Sequence, residues 1–181
     1  MSCTKILGFT LLSCQNKESE RNMDNPFFIE WTTPHGVPPF DKINEQHYVP
    51  AVKEGIKQHK NEIKKIVENP SEPTFENIIL ALDKSGELLD KVTGVFFPLS
   101  SANTNEKMQS IAMEIAPMLT NHRDNILLDP DLFKKIKNIY DRREDIGFDD
   151  QQIRVTEKYY EDFVRNGANL SAEDQDKLRN I

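Results

Sequence analysis

Pro73-Thr-Phe-Glu-Asn-Ile-Ile-Leu-Ala-Leu-Asp-Lys-Ser-Gly-Glu-Leu-Leu-Asp-Lys-Val-Thr-Gly-Val-Phe-Phe-Pro-Leu-Ser-Ser-Ala102 is the stretch on which the fold turns. Ile78, Leu82, Leu89, Val92, Phe96 and Leu99 are its large apolar residues, and small Ser85 fills the gap between them. Steps of four and three keep such a set on one side of a helix. Thr74 is placed to cap the start, because its hydroxyl can accept from a first-turn amide. Pro98 lacks an amide donor and is expected to stop or kink the helix. A helix over Phe75–Phe97 would run about 35 Å at ~1.5 Å per residue. A stripe of that length needs several neighbours, so the stretch reads as the spine of a helical array.

The flanking sequence supplies those neighbours. Tyr48, Val52, Ile56, Ile63 and Val67 share a face over 48–68, with His59 on the same stripe. Pro50 fits only a first turn. A third helix is expected after Asn103, whose spacing to Glu106 suits a capping box. Its face is Met108, Ile111, Ile115, Met118 or Leu119, and His122, with a bend expected at Pro117. Asp129-Pro130 opens a fourth helix, with Leu132, Phe133, Ile136, Ile139 and Tyr140 inward. A fifth runs over about Asp150–Arg165, with Ile153, Thr156, Tyr160, Phe163 and Val164 inward, and Gly167 ends it. Ser171 caps a sixth, whose stripe begins at Leu178 and Ile181. The sixth has no closing signal, which suggests a chain cut inside it. No long strand-like alternation and no repeat of fixed period is visible. The expected class is all-α: an array of antiparallel amphipathic helices with an extended amino-terminal strap.

That strap is Asn25–Asp41, rich in proline, with Phe27, Phe28, Trp31 and Phe40 all expected to be buried. Ahead of it, residues 1–24 read as a signal and tether. Ile6-Leu-Gly-Phe-Thr-Leu-Leu12 is a short apolar core behind Lys5, and Leu11-Leu12-Ser13-Cys14 resembles a bacterial lipobox with Cys14 as the lipidated residue. That implies the periplasm or a lipid anchor in the membrane. The alternative is a cytoplasmic product begun at Met23. The expected domain of 25–181 holds neither cysteine, since the pair is Cys3 and Cys14; it therefore has no disulfide framework and no cysteine zinc site.

The chain carries 30 acidic against 23 basic residues, a net charge of −7. A nucleic-acid partner would call for a basic stripe, so none is expected. His35, His47, His59 and His122 form no His-Glu-x-x-His and read as structural. Ser100–Asn105 is a polar loop that could meet a peptide, but reads better as a capping loop. Arg142-Arg143 beside Glu144-Asp145 reads as a solvated helix end, and Tyr159-Tyr160 as one surface and one core tyrosine. No phosphate loop, serine elbow or tuned carboxylate is evident. The residues alone carry no catalytic constellation.

Several motifs in order carry more. Asn25-Pro-Phe-Phe opens the body, followed by Pro38-Pro-Phe-Asp-Lys-Ile-Asn-Glu-Gln-His-Tyr-Val-Pro-Ala51, Pro73-Thr-Phe-Glu-Asn77, Leu82-Asp-Lys-Ser-Gly-Glu-Leu-Leu89, Ser101-Ala-Asn-Thr-Asn105 and Asp162-Phe-Val-Arg-Asn-Gly-Ala-Asn-Leu170. In this order they resemble the amino-terminal region of the thimet-oligopeptidase family of zinc metallopeptidases, in its peptidyl-dipeptidase (dipeptidyl carboxypeptidase) and oligopeptidase A branch. The resemblance covers Asn25–Ile181. It implies a larger two-lobed helical enzyme with a deep channel for short peptides as substrates. Zinc is implied to be the cofactor, held by a His-Glu-x-x-His helix and a later glutamate in a carboxyl-terminal catalytic portion. No catalytic residue and no metal ligand is carried over onto this chain, whose part would be one wall of the channel. The competing reading is a stand-alone helical lipoprotein that binds peptide or protein without catalysis.

Overall fold

The computed structural model describes residues 24–179, so Cys14, Ile181 and the signal segment lie outside the described residues. Within them the chain is all-α, with no strand. The helices are α1 (Tyr48–Glu68), α2 (Leu80–Asp83), α3 (Glu87–Ala102), α4 (Glu106–Leu127), α5 (Pro130–Arg142), α6 (Asp150–Arg165) and α7 (Ala172–Arg179).

The spine is two helices rather than one. It opens as expected: Thr74 Oγ1 accepts from Asn77 N and Asn77 Oδ1 accepts from Thr74 N. Its first turn, Phe75–Ile79, is wound wide, with Leu80 N donating to Phe75 O. The helix then breaks after Asp83, and Gly86 takes φ +80°, a conformation that costs other residues strain. Pro98 does not end α3. It lies on the exposed side, where the carbonyl it leaves unpaired can turn to water. The cap of α4 is Asn105, whose Oδ1 accepts from Met108 N at 2.9 Å, and not Asn103. Asp129 caps α5 and Asp149 caps α6 through their first-turn amides. Ser171 Oγ accepts from Asp174 N at the start of α7; the Leu178 side chain lies outside what is described.

The chain divides into two compact units. The first combines the described part of Met1–Gly55 with Leu88–Met113. Its core is Phe27, Tyr48, Ala51, Val52, Leu89, Val92, Val95, Phe96 and Met108. Gly55 lets α1 approach α3 closely, since a Cβ there would stand 3.1 Å from the Leu89 backbone. The strap is fastened by polar and aromatic contacts together. Asn25 Nδ2 donates to His47 O and Trp31 Nε1 to Pro26 O. Lys91 Nζ donates to the carbonyls of Phe27 and Ile29 and lies 4.3 Å from the Trp31 ring centroid. Of the four strap aromatics only Phe27 is fully buried; Phe28 and Trp31 are half-buried, and Phe40 is 52% exposed, at the far end of the strap where the chain turns toward α1.

The second unit comprises Ile56–Glu87 with Glu114–Ile181. Ile63, Ile66, Ile78, Ile79, Leu82, Leu132, Ile136, Ile139 and Phe163 form its core. Each such side chain contributes roughly 1.5–3 kcal/mol by leaving water. Beside it runs an aromatic ladder: Tyr140 stacks on Tyr160 at 3.8 Å, Tyr160 on Phe133 at 5.8 Å and Phe133 on Phe163 at 6.3 Å.

Candidate functional site

Polar chemistry gathers at two places in the second unit. The first is an open cleft of about 520 Å³ beside the entry to the spine. Glu72, Pro73, Thr74 and Phe75 line one side, and Ile146, Gly147, Phe148 and Gln152 the other. Phe75 meets Phe148 edge to face at 5.5 Å. Arg142 also lines the cleft, and most of its donors are engaged. Its guanidinium donates to Glu72 Oε1 at 2.6 Å, Asn138 Oδ1 at 2.7 Å and the Pro73 carbonyl at 3.1 Å. The run does stand at a half-exposed helix end, with Glu144 and Asp145 exposed, but its two arginines are tied to distant partners. Arg142 holds the 72–74 turn onto α5. Arg143, 21% exposed, donates to Glu157 Oε1 and the Tyr140 carbonyl and lies over the Tyr140 ring. What separates these arginines from an ordinary charge run is a set of partners 14 to 70 residues away, which local reading does not see. The cleft offers shape, an aromatic edge, backbone and the carboxylates of Glu72 and Glu76, but Glu72 is paired with Arg142 and Thr74 Oγ1 caps the helix at Asn77 N, so these groups form no nucleophile–base pair.

The second place is a hydrogen-bonded relay joining α1, the 84–86 turn and α4. Ser85 Oγ donates to the Leu82 carbonyl at 2.7 Å. Its lone pairs then face His59 Nε2 at 3.0 Å, which must carry the proton. His59 Nδ1 is left as an acceptor, and His122 Nε2 donates to it at 3.0 Å. The rings meet edge to face at 4.9 Å. His122 is 4% exposed, and its Nδ1 is buried with no hydrogen-bond partner. Burial, then the fields of His59 and Lys60, hold His122 at a pKa of about 4, far below its ordinary 6.5.

This order of serine, histidine and histidine has the outline of a nucleophilic triad, but the details oppose it. The Ser85 hydroxyl has the Leu82 carbonyl as an acceptor at 2.7 Å, closer than His59 Nε2 at 3.0 Å, which draws its proton away from His59. The neighbouring Gly86 amide, where an oxyanion would be held, donates to Glu62 Oε2 at 2.7 Å. A Cβ on Gly86 would stand 2.9 Å from His59 Nδ1, so the turn and the ring are packed without a gap. The relay is a structural clip.

The other residues picked out in the sequence are dispersed. His35 is exposed at a turn with φ 59°, and His47 helps cap the approach to α1. Ser100–Asn105 is a helix end followed by a cap. Tyr160 is in the aromatic ladder, and Tyr159 donates to Asp83 Oδ1. Burial and then the Asp83 charge push the Tyr159 pKa up to about 12. Among the described residues no three His, Cys, Asp or Glu converge to hold a metal ion.

No family model matches the chain. Among curated proteins, it is 41% identical over 155 residues to dipeptidyl carboxypeptidase of Escherichia coli (strain K12), covering 86% of this chain and 23% of that protein. Dipeptidyl carboxypeptidase of Salmonella typhimurium is 36% identical with the same coverage. Oligopeptidase A of Escherichia coli (strain K12) is 23% identical over 159 residues, or 88% of this chain and 23% of that protein. The chain thus spans about a quarter of the length of these relatives. Similarity to both groups at once, over 86–88% of this chain, agrees with the ordered motifs: the chain is similar to the dipeptidyl carboxypeptidases and oligopeptidases A over about a quarter of their length.

Proposed function

We propose that this chain is the amino-terminal, channel-forming part of a zinc-dependent peptidyl-dipeptidase that releases dipeptides from the carboxyl ends of oligopeptides. The observation that carries this reading is the 41% identity to a dipeptidyl carboxypeptidase of which the chain covers 23%. The contribution of these residues is physical. Rigid helices, clamped by Arg142 and by the relay at Ser85, wall a channel and limit what enters it.

The described residues do not fit a zinc site. No three donors converge, and the two histidine nitrogens that do meet are engaged with one another at 3.0 Å. In this reading zinc and the catalytic residues are supplied by a carboxyl-terminal portion that the present sequence does not contain.

The test is to express the whole reading frame that begins with this chain and assay carboxyl-terminal dipeptide release from an amino-blocked tetrapeptide. Release by the complete product, lost on chelation and restored by zinc, is the expected result. A complete product that folds and leaves the peptide intact refutes the reading, and favours the peptide-binding lipoprotein instead.

The lipobox adds a location: Cys14 acylated, with the enzyme held at a periplasmic membrane face. Cys14→Ser is expected to move the protein from the membrane fraction to the soluble fraction. A wild-type protein already soluble in the cytoplasm would point to Met23 as the true start.

A further inference from the structure

The clip between α1 and α4 has a property that a plain core contact lacks. In the neutral relay every polar hydrogen has an acceptor, and the one unmet group is a lone pair, on His122 Nδ1. A lone pair without a partner is the milder defect. A proton added to the pair changes this. If it lands on His122 Nδ1, a charged N–H is buried where no acceptor stands. If it lands on His59 Nδ1, two N–H groups face each other unless His122 changes tautomer, and that change again leaves an N–H at the same buried Nδ1. Every singly protonated arrangement that keeps the two rings together therefore places an unmet donor in the core, and a buried unsatisfied donor costs about 1–3 kcal/mol, more when charged.

Among the described residues nothing accepts a hydrogen bond from His122 Nδ1. Lys60, on α1, adds a positive field at His122. Glu62, also on α1, accepts from the Gly86 amide with one carboxylate oxygen and makes no hydrogen bond to His122 Nδ1. On the turn, Asp83 receives the Tyr159 hydroxyl, while Lys84 and Glu87 are exposed. On α4, Arg123 is exposed and Asp124 half-buried, and neither reaches Nδ1. The cheapest escape is to bring His122 to water.

We propose that the His59–His122 contact is an acid-released latch: one proton taken up by the pair separates the rings, frees α4 around His122, and loosens the Ser85–Gly86 turn packed on His59. This inference does not depend on the peptidase reading. It concerns the second unit alone, and it gives that unit a local element that opens in acid.

Nitrogen-resolved imidazole NMR on the 181-residue chain tests it. At pH 7.5 both His59 and His122 should be Nε2–H tautomers. On acidification the first proton taken up by the pair should shift the Gly86 amide with the same midpoint, and His122 itself should stay neutral until well below pH 6. Hydrogen-exchange protection at 84–87 and 119–123 should fall at least tenfold between pH 7 and pH 4.5, after correction for intrinsic exchange. In His122→Gln, whose amide can still donate to His59, that fall should vanish. An Nδ1–H tautomer at either ring overturns the proposal. So does ordinary titration near pH 6.5 with a stationary Gly86 amide, or an equal loss of protection in wild type and variant. Should the variant fail to fold, the wild-type titration decides alone.

Discussion

Phe96→Ala is expected to destabilise the first unit by about 3–5 kcal/mol and to release the amino-terminal strap. Phe96 is fully buried, and its ring meets Tyr48 edge to face at 5.0 Å. Tyr48 in turn meets Phe27 at 5.6 Å, and Phe27 meets Trp31 at 6.1 Å. Truncation removes the largest buried side chain of α3 and leaves the first ring of that series without its neighbour. Aromatic pairs of this kind add ~0.5–1.5 kcal/mol beyond the area they bury. The strap contains no long helix, and the polar ties described between it and the helices are those of Asn25 and Lys91. Trp31 is the one tryptophan of the chain, so its emission reports the strap directly. Urea unfolding followed at that signal should show the loss in midpoint, with red-shifted emission in native buffer. A change under about 1 kcal/mol with unaltered emission would mean that α3 does not anchor the strap.

Where the fold was legible, the signals were local. The Thr74 and Asp129 caps act through side chains reaching amides two or three residues ahead, and both stand where the residue types place them. The limits of α1 and α6 follow from the same short-range rules, and the apolar stripes of α1, α4 and α5 turn inward as their spacing requires. What escaped local reading depends on partners far along the chain. Ser85 and Gly86 sit in an apolar stripe that reads as continuous helix. The break occurs where His59, from α1, is packed against Gly86 so closely that a Cβ would collide with it. His59 and His122 each look like a lone histidine on an apolar face; that they hydrogen-bond across 63 residues is a product of topology. Arg142 and Arg143 look like surface charge until Glu72, Pro73 and Glu157 are brought to them. Phe40 erred the other way: an aromatic residue near others was expected inside, but a ring can remain half in water where the chain must turn. The candidate site was less legible than the fold for this reason, since its polar groups converge only in three dimensions. The likeness to the dipeptidyl carboxypeptidases and oligopeptidases A was legible through ordered motifs, which carry information that no single helix face does.

The second large effect is a loss of stability in acid, and its sign follows from His122. Its folded pKa is about 4 against an ordinary 6.5, so the fold disfavours the charged ring. Above pH 6.5 both folded and unfolded chains hold it neutral, and the contribution is fully present. Between 6.5 and 4 the unfolded chain binds a proton that the folded chain refuses, so stability falls as pH falls. Below 4 both bind it and the loss stops growing. At ~1.4 kcal/mol per pH unit, the whole interval amounts to about 3 kcal/mol. Thermal or urea unfolding at pH 7.5, 5.5 and 4.5, followed by far-ultraviolet circular dichroism, should show it as a difference between wild type and His122→Gln. Losses common to both proteins belong to other groups and cancel. Parallel curves would show that His122 is not held neutral by the fold. A shortfall would be informative in another way. A native protein that can open the latch alone escapes further penalty once the cost of opening is reached, so the global loss saturates at that cost. The gap between about 3 kcal/mol and the measured difference is then set by how easily α4 parts from His59, and the exchange rates at 84–87 give the same quantity independently.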